Sequence, residues 1–235
     1  MTSINSAFER VSSDLVARAR ELAPSILSDV CGRRGALAGR IQPVAPQMQV
    51  CGPAFTVELR PGDNLMLHAA LVLAQPGDVI VVDGKADASS ALMGELMCAH
   101  AAAAGIAGVV IDGAVRDVAS LRQGSFPVFA AAANPNGPTK GLGGRIGHPV
   151  SIGDVAVQPG DLVVGDGDGV MVVPRAEVAR ALEDGAKKVQ AEQARLRDIA
   201  AGKLVYGWLE GALRDTGMLA ADKTLQQLRD EFAGK

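Results

Sequence analysis

One short segment combines residue types that could bind both an anionic substrate and a metal ion. Residues 109–117 read Val-Val-Ile-Asp-Gly-Ala-Val-Arg-Asp, a β-branched run followed by a glycine turn and then by Arg116 and Asp117. In α/β proteins, ligands bind at the carboxyl ends of the strands. Arginine offers a planar fork to a carboxylate or an enolate, and an aspartate oxygen can hold a hard divalent cation. The pair could also be an ordinary charge pair at a helix start, so these residues alone leave their role open.

A second acidic residue, Glu95, lies one strand unit earlier, in the sequence Met-Gly-Glu-Leu of residues 93–96. The strands of consecutive β-α-β units are usually neighbours in the sheet. Glu95 and Asp117 could therefore face one cleft, with Arg116 between them and the amides of a helix start available to a carboxylate. Taken alone, Glu95 could equally be a solvated helix residue.

A lysine offers a different chemistry. Lys85 follows the Asp-Gly pair of residues 83–84 and is the one lysine near the motif, so it is the candidate nucleophile for a Schiff-base aldolase. It could also be a solvated lysine in a turn. The three histidines, His68, His100 and His148, lie outside the motif and supply no obvious proton carrier.

The elements that must position these residues alternate between strand and helix. Short β-branched runs predict buried strands, and apolar residues at helical spacing predict helices. The predicted helices cover residues 7–22, 25–30, 65–74, 88–104, 118–122 and 176–201, and the predicted strands cover residues 54–59, 78–83, 108–112 and 126–129. Short strands and tight turns are expected over residues 134–175, and the tail from residue 216 could form a helix. This alternation predicts an α/β core.

Composition and charge argue against several classes of function. The chain has 235 residues and 48% hydrophobic content, enough to bury one large core. Its net charge of −3 gives no basic field for a polyphosphate, and aromatic stacking platforms are scarce, so we expect no nucleic-acid partner. The charged first 24 residues do not resemble a secretory signal, and the apolar run over residues 101–111 is too short to span a membrane. We therefore predict a cytoplasmic protein with reduced cysteines and no membrane partner.

A series of short motifs, specific in their order and spacing, points to a known family. They are Gly52–Val57, Pro61–Asn64, Pro76–Val79, Gly94–Leu96, Gly113–Asp117, Gly165–Val170 and Val173–Arg175. Together they resemble the RraA-like family over roughly residues 20–205. That family includes the class II aldolases for 4-hydroxy-4-methyl-2-oxoglutarate and 4-carboxy-4-hydroxy-2-oxoadipate, and the RraA regulators of ribonuclease E.

The resemblance implies a compact α/β fold similar to the phosphohistidine swivelling domain, as a single domain over residues 1–235. A helical cap over residues 1–35 would precede an α/β core over residues 50–175, and a C-terminal helix and tail would follow over residues 176–235. The resemblance also implies a homo-oligomer, either a trimer or a hexamer, with active sites between subunits.

The resemblance further assigns roles to individual residues. Asp117 would ligate Mg²⁺ or Mn²⁺, and Glu95 would hold that metal through water. The amides of Gly94–Leu96, together with Arg116, would bind the pyruvate portion of the substrate. Glu192 is similar in position to an acidic residue that the adjacent subunit contributes in the aldolases, although its sequence context also suits an exposed helical residue. A water relayed by a carboxylate would then carry the proton.

The function that the resemblance implies is that of a divalent-metal-dependent class II aldolase. This carbon-carbon lyase would cleave a 4-hydroxy-2-oxo dicarboxylate to pyruvate and a 2-keto acid, and it would also decarboxylate oxaloacetate. Ser120 stands where the aldolases usually have an acidic residue, three positions after Asp117, which bears on metal affinity and substrate choice. The alternative is a non-catalytic RraA-type regulator that binds a ribonuclease or a helicase. A menaquinone methyltransferase is disfavoured, because no glycine-rich cofactor loop follows the first strand.

Overall fold

The computed structural model describes residues 3–234 of the chain. They fall into two compact units, Met1–Lys188 and Val189–Lys235. The first unit contains the sheets and the helices near them, and the second contains the end of a long helix and two shorter helices. The domain boundaries given above stay a prediction.

Helices and strands alternate through most of the first unit. In chain order the elements are α1 (Ser13–Ala19), α2 (Pro24–Val30), β1 (Gln42–Pro43), β2 (Val50–Glu58), α3 (Leu65–Leu73), β3 (Val79–Met93), α4 (Glu95–Ala103), β4 (Gly108–Val115), α5 (Val118–Gln123), β5 (Val128–Ala133), β6 (Arg145–Ile146), β7 (Val150–Ile152), β8 (Val155–Val157), β9 (Leu162–Asp166), β10 (Gly169–Val173), a 3₁₀ helix (Arg175–Glu177), α6 (Val178–Ala200), α7 (Leu209–Asp215) and α8 (Leu225–Ala233).

Parallel strands form the centre of the main sheet. Its order is β1-β5-β4-β3-β2-β9-β10, and β6 also pairs with β2. The strands β2, β3, β4 and β5 run parallel, whereas β1, β9 and β10 pair antiparallel. Every residue of β4 is buried, as a β-branched sequence predicts for a strand covered on both faces. The mixed sheet, the N-terminal helices and the long C-terminal helix confirm the predicted α/β fold class.

The predicted helix over residues 88–104 is wrong in its first part. β3 continues to Met93, which pairs with Val115 of β4 after shifts of register. This pairing buries residues 91–93 in the sheet, and burial in a sheet outweighs the helical preference of an alanine-rich sequence. The helix α4 therefore begins only at Glu95.

The predicted helix over residues 7–22 is also shorter, because only Ser13–Ala19 is helical. The Ser12 hydroxyl caps the start of this helix by accepting a hydrogen bond from a backbone amide in the first turn. Ser12 is extended, and the Val11 N–H donates to the Gly160 carbonyl instead of to a helical partner.

The described residues also bear on the cysteines and on membrane contact. Cys31, Cys51 and Cys98 are free thiols. Burial raises the pKa of Cys51 to about 11 and that of Cys98 to about 12, so neither is a ready nucleophile. Within residues 3–234, we find no helix with the length and apolar character needed to cross a bilayer.

Candidate functional site

The ends of β3 and β4 bring residues 94–96, Arg116 and Asp117 to one edge of the sheet. Both strands run parallel and end side by side, with Met93 opposite Val115. Gly94 follows β3 and is the N-cap residue of α4, while Arg116 and Asp117 follow β4 and precede α5. The expectation that the two strand units are neighbours is confirmed, and Glu95 begins a helix beside the arginine and the aspartate.

Hydrogen bonds join the two strand ends. The Arg116 N–H donates to the Met93 carbonyl at 3.0 Å, and the Glu95 N–H donates to Oδ2 of Asp117 at 3.0 Å. The Arg116 Nε lies 3.8 Å from the same oxygen. Asp117 itself has a φ of 59°, in the left-handed region that aspartate adopts only in special positions. Strained backbone of this kind clusters at functional sites.

Two glycines allow this close approach. A Cβ atom on Gly94 would lie 2.5 Å from Oδ2 of Asp117 and 2.9 Å from Cγ of Arg116. A Cβ atom on Gly137, in the loop after β5, would lie 3.1 Å from Nη1 of Arg116. The first position therefore requires glycine, and the second shows that this loop approaches the guanidinium group.

The strand ends line a small cleft of about 70 Å³. Its lining includes Gly94, Leu96, Arg116, Asp117 and Pro138. The side chains of Arg116 and Asp117 are 46% and 43% exposed, so both can reach a ligand. Wider surface depressions exist elsewhere, such as one of about 520 Å³ beside α2, but a cleft at paired strand ends is where the chemistry of an α/β protein is expected.

One further residue of this cleft, Asn64, has no role in the sequence-based prediction. It is 2% exposed, it lines the cleft, and its Nδ2 donates to the Leu92 carbonyl at 2.8 Å. Its Oδ1 and the Nε2 of His68, one helical turn further along α3, have no hydrogen-bond partner among the described residues. Burial and the nearby charge of Lys140 lower the pKa of His68. The signal that could have found Asn64 is its place at the end of the motif Pro61–Asn64, directly before a helix.

A comparison with models of known protein families identifies the family of this chain. The model of the RraA-like family, described as Aldolase/RraA, matches residues 13–172. The chain belongs to the RraA-like family. The match contains both strand ends, the cleft and the whole of the main sheet except its last residue.

Similar members of the RraA-like family carry different names. A protein of Halalkalibacterium halodurans named "Putative 4-hydroxy-4-methyl-2-oxoglutarate aldolase" is 38% identical over 187 residues, which cover 80% of this chain and 89% of that protein. The crystal structure of Streptomyces coelicolor RraAS2, an unusual member of the RNase ES inhibitor RraA protein family, has a TM-score of 0.74 at 28% identity and covers 80% of this chain and 98% of that one. The RNA-processing inhibitor RraA from Thermus thermophilis has a TM-score of 0.60 at 30% identity and covers 65% and 92%.

The donor types of this RraA-like site suit a hard divalent cation. Asp117 and Glu95 supply carboxylate oxygens, the donors that Mg²⁺ and Mn²⁺ prefer. Among residues 3–234, no three His, Cys, Asp or Glu side chains are grouped so as to hold a metal ion. A divalent cation bound here would therefore rely on few protein groups and on water, as Mg²⁺ usually does.

The lysine of the Schiff-base alternative is engaged in ion pairs. The Nζ of Lys85 lies 2.6 Å from Oδ2 of Asp83 and 3.1 Å from Oε1 of Glu58. Burial disfavours the ammonium ion, but the bonds to these carboxylates outweigh it and raise the pKa of Lys85. A Schiff base needs a neutral amine, so this environment disfavours Lys85 as a nucleophile. The corresponding aspartate of β4, Asp112, forms a bidentate pair with Arg40.

Two further residues were singled out in the sequence. Ser120 lies in α5, half-buried and three residues after Asp117. Glu192 is exposed and lies in the part of α6 that belongs to the second unit. The role of Glu192 at the site of an adjacent subunit stays a prediction.

Proposed function

We propose that this RraA-like protein is a divalent-metal-dependent aldolase that cleaves a 4-hydroxy-2-oxo dicarboxylate, of the 4-hydroxy-4-methyl-2-oxoglutarate type, to pyruvate and a second 2-keto acid. The observation that carries the proposal is one cleft that joins the Arg116 guanidinium, the Asp117 carboxylate and the start of α4. The name of the 38% identical relative supports the same reaction.

The start of α4 suits the carboxylate of a 2-oxo acid. The first bond within this helix runs from the Cys98 N–H to the Gly94 carbonyl, so the amides of Leu96 and Met97 have no acceptor within the helix. The Glu95 amide is already engaged by Asp117. Free amides at a helix N-terminus attract anions, and the Arg116 fork beside them adds a second set of donors.

The Asp117 and Glu95 carboxylates would bind the metal in different ways. Asp117 would bind it directly, and Glu95 would hold it through water. When bound, a divalent cation supplies positive charge where the keto oxygen becomes negative. The Glu95 amide donates to Oδ2 of Asp117, so the carboxylate is oriented before any ligand arrives.

Arg116 stabilises the charge that cleavage creates. When the C3–C4 bond breaks, its electron pair moves onto the pyruvate half, whose keto oxygen becomes an enolate oxygen. A guanidinium group is always protonated and presents several donors, so Arg116 favours this charge without a proton transfer. Loss of CO₂ from oxaloacetate leaves the same charge on the same fragment, and the cleft would therefore catalyse that decarboxylation as well.

The proton of the C4 hydroxyl needs an acceptor. We assign it to a water that Glu192 of an adjacent subunit relays, as the resemblance to the class II aldolases implies. This step requires a homo-oligomer with sites between subunits.

A coupled assay tests the proposal. Pyruvate release from 4-hydroxy-4-methyl-2-oxoglutarate and from oxaloacetate is followed with lactate dehydrogenase, with Mg²⁺ and after its removal with EDTA. We expect turnover of both substrates that EDTA abolishes and Mg²⁺ restores. The variant Asp117→Asn should also lose Mg²⁺ binding in calorimetry, because a neutral amide replaces the metal-binding carboxylate. Activity that survives EDTA would contradict the metal-dependent mechanism.

The similarity to RraAS2, which covers 98% of that chain, favours a second candidate function: a non-catalytic regulator that binds a ribonuclease or a helicase. Such a regulator would bind its partner with or without Mg²⁺ and would turn over neither substrate. The assay above therefore separates the two functions.

A further inference from the structure

Asn64 is fixed between the two sides of the segment Gly94–Leu96. Its Nδ2 donates to the Leu92 carbonyl at 2.8 Å on one side and lies 3.4 Å from the Met97 sulfur on the other. Its backbone N–H donates to the Thr139 carbonyl at 3.0 Å, which ties it to the loop after β5. These contacts hold the side chain still, although it takes no part in capping α3.

The orientation of this amide is settled by its neighbours. A carbonyl such as that of Leu92 can only accept a hydrogen bond, so the NH₂ group must face it and Oδ1 must face away. No donor among residues 3–234 reaches Oδ1, and the side chain is 2% exposed. A buried acceptor without a donor costs about 1–3 kcal/mol, so it calls for an explanation. Asn64 lines the cleft, which is where a missing donor would enter.

The chemistry of the substrate class identifies that donor. A 4-hydroxy-2-oxo dicarboxylate carries two carboxylates and a keto oxygen, all of which accept hydrogen bonds. Its one donor is the C4 hydroxyl. We propose that Oδ1 of Asn64 accepts a hydrogen bond from the C4 hydroxyl and so makes the cleft selective for hydroxylated substrates. This inference rests on the proposed function.

The hydrogen bond from the C4 hydroxyl to Oδ1 of Asn64 contributes to substrate binding and not to proton transfer. A neutral amide oxygen is too weak a base to keep a proton, so the hydroxyl proton leaves to the water described above. Its O–H electron pair then forms the new carbonyl as the C3–C4 pair moves to the pyruvate half. Asn64 therefore acts before this step, and its loss should raise KM more than it lowers kcat.

The experiment compares a substrate that has the hydroxyl with one that lacks it. In Asn64→Ala, KM for 4-hydroxy-4-methyl-2-oxoglutarate should rise roughly tenfold, the value of one neutral hydrogen bond, whereas KM for oxaloacetate should change less than about twofold. Asn64→Ser, which keeps a polar side chain too short to bridge the cleft, should behave in the same way. Gln42→Ala removes an exposed amide from β1, outside the cleft, and should change neither KM.

Several outcomes would overturn the inference. An equal rise of KM for both substrates would show a structural role, and unchanged values for both would show that Asn64 does not contact the hydroxyl. If both variants fail to unfold cooperatively, the wild-type protein still provides the test. Its inhibition constant for 4-methyl-2-oxoglutarate, which lacks only the hydroxyl, should then exceed the KM of the hydroxylated substrate by roughly tenfold, and equal values would contradict the proposal.

Failure of the proposed aldolase function can be distinguished from failure of the inference about Asn64. If the wild-type protein turns over neither substrate, the aldolase proposal fails, and the hydroxylated ligand stays intact in a calorimeter. Direct titration of 4-hydroxy-4-methyl-2-oxoglutarate and 4-methyl-2-oxoglutarate in Mg²⁺ then measures selectivity for the hydroxyl alone. Tighter binding of the hydroxylated compound would support the role of Asn64, and equal or absent binding would refute it.

Discussion

At the level of single residues, the cleft requires a glycine at position 94, because a larger side chain would not fit there. Gly94 lies between the end of β3 and the start of α4, and it is buried against the Arg116 and Asp117 side chains. Its φ of −151° is ordinary extended backbone, so glycine is needed for space and not for conformation. The absence of a side chain at Gly94 thus leaves room for the Arg116 and Asp117 side chains of the site.

The substitution Gly94→Ala should therefore reduce catalysis far more than stability. The new Cβ would displace the Asp117 carboxylate and the Arg116 stem, and a displacement of about 1 Å can lower turnover roughly 10²-fold. Pyruvate release and the melting temperature measure the two effects. Gly39→Ala is the matched control, because its Cβ would meet no atom within 4 Å. A fully active Gly94→Ala would show that the cleft is not the catalytic site.

The Arg116 guanidinium should contribute to turnover more than to substrate binding. Arg116→Ala removes a preorganised donor from the developing enolate, so we expect kcat to fall roughly 10²–10³-fold, with a smaller change in KM. Arg180→Ala, which removes a guanidinium group that is 89% exposed, should leave kcat unchanged. A retained kcat in Arg116→Ala would contradict the proposed role.

At the scale of elements, Asp63 connects the loop after β5 to the start of α3. The carboxylate is 1% exposed and accepts hydrogen bonds from the Gly141 and Leu142 amides and from the Thr139 hydroxyl. It also accepts one from the Leu65 amide, in the first turn of the helix. The loop that approaches Arg116 and the helix that follows Asn64 are thus held together by one buried anion.

The pKa of Asp63 makes this connection sensitive to acid. Burial alone would raise the pKa, but the four hydrogen bonds outweigh it and lower the pKa from 3.8 to about 2. The unfolded chain therefore binds a proton at higher pH than the folded one. The stabilisation from Asp63 is complete above about pH 4 and is lost as the pH falls from there towards 2.

We expect Asp63→Asn to destabilise the protein at neutral pH by about 2–4 kcal/mol, since a neutral amide replaces charge-assisted bonds. The free energy of unfolding of this variant should also change less steeply between pH 4 and pH 2 than that of the wild type. Urea titrations followed by circular dichroism measure both quantities. Asp168→Asn, at an exposed position, should match the wild type. A wild-type slope in Asp63→Asn would assign the acid sensitivity to other groups.

At the scale of the whole molecule, the proposed reaction requires more than one subunit. The cleft of the described chain supplies Arg116, Asp117 and Asn64, while the proposed proton relay uses Glu192 of a neighbour. Light scattering should therefore give the mass of a trimer or a hexamer, and a monomer would contradict the shared site.

Mixed oligomers test the sharing of residues directly. Asp117→Asn and Glu192→Gln should each be nearly inactive, because each removes one group from every site. After dissociation and joint reassembly of equal amounts, about a quarter of the sites should combine two unchanged residues and regain activity. The mixture without reassembly is the control. If reassembly restores nothing, both residues serve the same subunit's site or Glu192 has no role.

Local sequence patterns were enough to predict the features that depend on neighbouring residues. The β-branched run of residues 108–112 predicted β4, and the apolar spacing of residues 65–74 predicted α3 within one residue. Arg116 and Asp117 were found because their types suit an anion and a metal. Adjacent residues contain the information for a buried strand, a helix face or a charge pair, so local patterns suffice for these features.

The end of β3 and the contacts of Asn64 depend on residues that are distant in the sequence. An alanine-rich stretch favours a helix locally, and it is the pairing of Met93 with Val115 that keeps it in the sheet. The partners of the Asn64 side chain, Leu92 and Met97, lie 28 and 33 residues further along the chain. Strand register and side-chain burial arise from contacts between distant segments, so they cannot be predicted from the pattern within either segment.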